Sequence, residues 1–219
     1  MVLRRADVVA AALELLDTEG LDGLTMRRLG AALNVQGGAL YRHFPSKDAL
    51  LDAMAEQLLA GVSAPLPAQL PWLEQCRVLA ERTRTALLSR RDGARVVAGT
   101  YVAAPNTMTA GGRAIEALCA AGFTPQRAGW ITFACFYYVL GHTIEEQALA
   151  RLGPDVDWHA RLAAVDPAPA EPVRGAMRAL ADADPAERFH YGLEIFLAGV
   201  ASQLEQSDQA GRPELPDRK

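Results

Sequence analysis

"GLTMRRLGAALNVQGGALYRHFPSK", residues 23–47, contains no Asp or Glu. The same window holds Arg27, Arg28, Arg42, Lys47 and His43, although the whole chain of 219 residues has a formal charge of −4. A neutral average therefore hides one basic face. Thr25 is a good N-cap for a helix running to about Leu33, and Leu24 with Leu29 has the spacing of a hydrophobic staple. Asn34 tolerates the left-handed backbone of a tight turn. A second, short helix follows from Gln36 to about His43, and Pro45 stops it. Helix, four-residue turn and short helix have the dimensions of a helix-turn-helix.

The short helix has to enter a major groove about 12 Å wide. Gly37 and Gly38 at its start let the backbone approach DNA closely. Gln36 reaches a base edge, Tyr41 and His43 donate to phosphate oxygens, and Arg42 does either. Lys47 adds a phosphate contact at the next helix N-terminus. Arg27 and Arg28 occupy the first turn after Thr25, where the macrodipole disfavours cations by a few tenths of a kcal/mol. Their placement there points to an external anion.

Working outward, Val8, Ala11, Ala12 and Leu15 recur at helical spacing, and Gly20 ends that first helix. Ser46 caps a fourth helix with Leu50, Leu51, Met54 and Leu58 on one side. The Pro-rich "GVSAPLPAQLP", 61–71, is the best boundary. The division expected is a DNA-binding unit at 1–47, a connecting helix at 48–64 and a larger helical unit at 65–219. Helical patterns follow near 71–89, 92–99, 105–121, 125–150, 173–181 and 185–205. Residues 153–172 read as a long loop broken by prolines. The fold expected is all-α, about ten helices, with no strand alternation.

Three cysteines without C-x-x-C spacing fit a reducing cytoplasm rather than a disulfide framework or zinc ribbon. Asp7, Glu14 and Asp17 interrupt the apolar N-terminus, so it reads as an amphipathic helix, and no stretch is long enough to span a membrane. No catalytic triad, phosphate loop or cofactor motif is visible. His142 with Glu145 and Glu146 falls short of the three or four ligands of a zinc site.

The stretch 23–54 resembles the DNA-binding region of the TetR family of bacterial repressors, through Leu24, Thr25, Leu40, Tyr41, His43, Phe44, Lys47 and Leu50. Asn34 replaces the more usual glycine of the turn. "ALLSRRDGARVVAGT" (86–100), "LGHTIEEQ" (140–147) and "HYGLEIFLAGVASQLE" (190–205) are similar to segments of the tetracycline repressors within that family. The resemblance implies a homodimer on a palindromic operator, released by a small molecule bound in the C-terminal unit, with an efflux gene as the usual target. It also implies a magnesium-chelated drug, but Val97 stands where a metal-binding histidine is expected. Ser63, Leu79 and Thr83 stand at drug-contact positions, and Tyr101 and Val102 at those of an arginine and a proline; only Glu145 matches a carboxylate around the metal.

Instead, Val97, Thr100, Tyr101, Met108, Ile115, Trp130, Phe133 and Tyr137, with His142 and Glu145 as polar anchors, suit a hydrophobic, antibiotic-like or polyketide-like ligand. His142 and Glu145 are also placed to hydrogen-bond each other. Asp92 is expected to cap the helix that follows it, and Arg95 to pair with Asp48, Asp52 or Glu56. The small residues Gly192, Ala198 and Gly199 beside Leu193, Ile195, Phe196 and Val200 suit close packing in an intersubunit four-helix bundle. Three alternatives stay open: a tetracycline responder with rebuilt contacts, a DNA binder without an inducer, and a helical hydrolase.

Overall fold

The computed structural model describes residues 3–67, 69–100, 104–152, 156–165 and 170–210. Among these it has eleven α-helices, one 3₁₀ turn and no strand. Helix α1 (Arg5–Gly23) turns Val8, Val9, Ala12, Leu13 and Leu16 inward. The buried stripe is thus centred one residue from the expected one; Ala11 and Leu15 lie on its edge, half-buried. The α1 helix breaks at Gly20, whose φ of +72° places it in the left-handed region that glycine tolerates.

Helices α2 (Met26–Ala32) and α3 (Gly37–Tyr41) form the helix-turn-helix. Thr25 Oγ1 accepts the Arg28 N–H at 3.2 Å, capping α2, and Asn34 carries the turn at φ +53°. Leu24, Leu29, Leu40 and Phe44 are all buried and tie α2 and α3 to α1 and α4 (Lys47–Leu58). Ser46 Oγ caps α4 by accepting the Ala49 N–H at 3.1 Å. Beyond α4, Leu59–Gly61 tightens into the 3₁₀ turn.

The larger unit is built from α5 (Trp72–Leu88), α6 (Gly93–Ala98), α7 (Pro105–Ala120), α8 (Pro125–Arg151) and α11 (Pro185–Ala210). α8 packs against α5, α6, α7 and α11, while α4 packs against both α6 and α7. Gln147 of α8 is buried and holds the α5–α6 corner. Its Oε1 accepts the Ala94 N–H at 3.1 Å, and its Nε2 donates to the Leu87 and Arg90 carbonyls at 3.1 and 2.8 Å.

The expected loop at 153–172 contains a helix, α9 (Trp158–Val165), and α10 (Glu171–Asp182) begins two residues before the pattern placed it. Asp157 explains α9: its Oδ1 accepts the Ala160 N–H at 2.9 Å and its carbonyl accepts the Arg161 N–H at 3.1 Å. An Asp N-cap followed by Ala and Leu outweighs prolines that lie outside the helix.

Of the two glycines on α11, Gly192 is the one in close contact. A Cβ there would stand 2.4 Å from Tyr138 Oη, whose hydroxyl donates to the Phe189 carbonyl at 2.7 Å while its ring stacks on that of Phe189. A Cβ on Gly199 would meet nothing within 4 Å. Gly192→Ala should therefore destabilise the fold by about 2 kcal/mol through overpacking. Gly199→Ala should leave it unchanged or raise it by up to about 1 kcal/mol. Urea unfolding of the two variants side by side checks the contrast.

Candidate nucleic-acid interface and ligand cavity

The basic face is assembled on a buried apolar underside. Leu40 and Phe44 anchor α3 from below, and the Arg5 guanidinium lies 4.0 Å over the Phe44 ring while its Nη1 donates to the His43 carbonyl at 2.7 Å. With the inner side fixed, Gln36, Gly38, Tyr41 and Arg42 face outward, and Tyr41 is 53% exposed. Thr25 and Arg27 are exposed beside them, while His43 and Lys47 are half-buried. Lys47 Nζ reaches the Leu21 carbonyl at 3.5 Å. Gly37 opens α3.

Arg28 departs from expectation. Its Nη1 pairs with Glu19 Oε2 at 2.5 Å, so an internal anion offsets the macrodipole. Glu19 lies outside the acid-free window, which is why the window alone suggested an outside partner. Arg27 has no such partner among the described residues.

Behind α4 lies a cavity of about 510 Å³ between α5, α7, α8 and α11. Val97, Thr100, Met108, Ile115, Phe133 and Tyr137 line it, and so does Ala55 of α4. Among the described residues its lining includes no charged side chain and no His, Asn or Gln. Of its hydroxyls, Thr83 donates to the Leu79 carbonyl at 2.7 Å and Thr100 to the Val97 carbonyl at 2.9 Å, while Thr132 Oγ1 is buried without a hydrogen-bond partner among the described residues. Burial pushes the two lining thiols up, Cys76 to about 11 and Cys135 to about 12, so both stay protonated. Sequence reasoning missed Ala55, Thr107 and both cysteines; small or mildly polar residues on helices otherwise read as core carry no distinguishing pattern.

Other expected ligand residues lie elsewhere. Trp130 is 67% exposed, outside the cavity lining, on the outward side of α8 with Phe133 and Tyr137. Tyr191 and Ile195 are likewise exposed on α11. His142 and Glu145 line a separate cleft beside Arg188. His142 does not bond Glu145. It packs edge-on against Phe189, 3.7 Å from Glu146 Oε2, and burial, aided by Arg84 and Arg188, lowers its pKa against the pull of Glu146. Glu146 instead takes a two-bond clamp from Arg84 at 2.6 and 3.0 Å. Tyr101 and Val102 lie outside the described residues.

The joint between the two units also differs from expectation. Asp92 stands at the N-cap position of α6 with φ +57°, but its carboxylate makes no cap. Oδ2 accepts the Leu21 N–H at 2.9 Å, and Oδ1 receives Arg151 and, at 3.4 Å, Arg95. Arg95 reaches on to Asp22 at 3.0 Å, not to Asp48, Asp52 or Glu56. Glu56 is engaged instead with Asn106 and Thr107. Asp17 adds a second tie, accepting from Arg90 Nη1 at 2.6 Å and the Arg91 N–H at 3.0 Å.

The chain matches two family models: "Bacterial regulatory proteins, tetR family" over residues 8–54, and "Tetracyclin repressor-like, C-terminal domain" over residues 64–204. It is 40% identical over 199 residues to the tetracycline repressor protein class A from transposon 1721 of Escherichia coli, covering 90% of this chain and 89% of that protein. The crystal structure of a possible TetR family transcriptional regulator from Streptomyces coelicolor A3(2) superposes with a TM-score of 0.83 at 38% identity, covering 91% of this chain and 99% of the other. The structure of BioQ with its natural double-stranded DNA operator gives a TM-score of 0.70 at 30% identity, over 91% and 98% of the two chains.

Burial of Asp92, 3% exposed, works to raise its pKa, but the Leu21 amide and the Arg151 and Arg95 guanidinium groups outweigh it and the net shift is downward. A carboxyl held below its unfolded value, about 3.9, stabilises the fold fully above that value and loses the contribution as pH falls through the depressed one. Asp92→Asn should cost about 2 kcal/mol at neutral pH, because Arg151 loses its counter-charge and Arg95 keeps only Asp22. The difference from the native chain should shrink below about pH 4. Thermal unfolding of both chains from pH 3 to 7 checks the sign.

Proposed function

The chain belongs to the tetR family of bacterial regulatory proteins, and we propose that it is a homodimeric repressor released from a palindromic operator by an uncharged, hydrophobic small molecule. It is a DNA-binding regulator rather than an enzyme. The observation that carries the ligand half of this reading is the cavity wall: Ala55, on the helix that holds the reading head, is also part of the lining. Whatever fills the cavity touches α4 directly.

On DNA, Gln36 and Arg42 take base edges from the start and end of α3, with Gly37 and Gly38 keeping the backbone close. Thr25, Arg27, Arg28, Tyr41, His43 and Lys47 take phosphates, Arg28 by exchanging Glu19 for the backbone. Two copies of α3 held one turn apart, about 34–36 Å, read the two halves of an inverted repeat. The second copy of the chain docks on the exposed surface of α8 and α11, where Trp130, Phe133, Tyr137, Tyr191 and Ile195 otherwise lose the free energy of burial.

The cavity volume is within the range of drug-sized sites, and its lining suits an antibiotic-like or polyketide-like ligand with few polar groups. A magnesium-chelated drug does not fit. Val97 offers no metal ligand, and Glu145 is exposed on the other cleft. Release follows by linkage if the ligand binds the form with α4 displaced better than the operator-bound form. A cytoplasmic location and control of an efflux gene complete the proposal; no helix among the described residues is long and apolar enough to cross a membrane.

Two measurements test the halves separately. A Cβ on Gly38 meets nothing within 4 Å, so Gly38→Leu should fold normally yet lose roughly tenfold or more in affinity for a duplex selected by the native protein from a random pool. Undiminished affinity would remove α3 from the interface. For the cavity, the neutral fluorophore N-phenyl-1-naphthylamine should bind once per chain without magnesium. Gly111→Trp, which builds into open space in the lining, should weaken it roughly tenfold, about 1.4 kcal/mol. Tight tetracycline binding that requires magnesium, with the neutral probe excluded, would instead favour the rebuilt tetracycline site.

A further inference from the structure

Glu56 follows Ala55 on α4, and its carboxylate leaves that helix altogether. Oε1 accepts the Asn106 N–H at 2.7 Å, and Oε2 lies 3.4 Å from both the amide and the hydroxyl of Thr107. Asn106 Nδ2 donates back to the Glu56 carbonyl at 3.1 Å. These donors belong to the first turn of α7, which has no side-chain cap of its own; its N-cap residue is Ala104. Glu56 therefore caps α7 from another helix, with a negative charge at the positive end of the macrodipole.

The capped turn is also cavity wall, since Thr107 and Met108 both line it. One carboxylate thus joins the helix bearing the reading head to the rim of the ligand cavity, independently of α6. We infer that Glu56 is the positioning residue through which occupancy of the cavity sets the tilt of α4. This rests on the cavity being the inducer site. An occupant that pushes the Thr107–Met108 turn outward draws two amides off the carboxylate. It leaves a half-buried Glu56 short of donors, so α4 and the α7 turn move together. Linkage requires the converse: DNA that fixes α4 tightens the cap.

The test uses the native dimer, Glu56→Gln and Glu56→Ala, with a duplex selected by the native protein from a random pool. Amide exchange at Asn106 and Thr107 is measured with and without that duplex. In the native dimer, DNA should slow exchange at both amides roughly fivefold or more. Glu56→Gln, which keeps an acceptor oxygen, should retain most of that slowing, and Glu56→Ala should abolish it. A cap serving stability alone would protect these amides equally in both states. Exchange in the native dimer that ignores DNA would overturn the proposal without needing either variant. So would native-sized slowing in Glu56→Ala. If the native chain selects no duplex, the regulator reading itself fails, a result distinct from both.

Discussion

Asp92 is a buried carboxylate on a left-handed backbone, and groups from three places converge on it: the Leu21 amide after the α1 break, Arg151 at the end of α8, and Arg95 of α6. Burying such a group is costly unless every charge and lone pair is met, so the site tolerates one arrangement of its partners. The Gly20 break turns the Leu21 amide toward the acid. A Cβ on Gly20 would itself stand 3.0 Å from Asp92 Oδ2. This carboxylate and the sharp turn that admits it therefore help set the orientation of the DNA-binding helices on the larger unit, beside the Asp17 tie to Arg90 and Arg91.

This polar joint lies beside an apolar one, and the two differ in how they yield. α4 packs against α6 and α7, and its Met54, Ala55 and Leu58 are all buried. Packing of that kind slides by small steps as side chains change rotamer. A carboxylate with fixed donors is either bonded or not. A molecule with one of each has a compliant element and a latched one, which is what a two-position switch requires.

Much of this was legible in the residues, because the signals were local. Thr25, Asn34 and Ser46 each determine a backbone conformation within a few residues, and the helices from α5 to α8 follow their apolar spacing. Long-range polar partners were not legible. Nothing near Arg95 in sequence distinguishes Asp22 from Asp52, and nothing near Arg28 points to Glu19 across the α1 break. The aromatic stripe on α8 was visible, but its division between cavity and outer surface was not. All three are exposed on one side of α8, but Phe133 and Tyr137 also reach the cavity while Trp130, nearer the start of the helix, does not, a distinction that spacing alone leaves open. The α9 helix was hidden by prolines on either side of a good Asp cap.

Two of the helices that line the cavity, α6 and α7, share a further property. α6 has no side-chain cap from its own N-cap residue and takes Gln147 from α8; α7 has none either and takes Glu56 from α4. A self-capped helix keeps its N-terminus satisfied wherever it moves, whereas a helix capped by a neighbour loses that bond once the two separate. Each borrowed cap is worth about 1 kcal/mol, so a displacement of either helix is opposed up to a threshold and then released. Gln147 holds α6 to the rigid core of α5 and α8, and Glu56 holds α7 to the helix carrying the reading head. The α6 cap therefore resists motion within the larger unit, while the α7 cap resists motion between units. Of the two, the second stands where filling the cavity can be felt at the DNA.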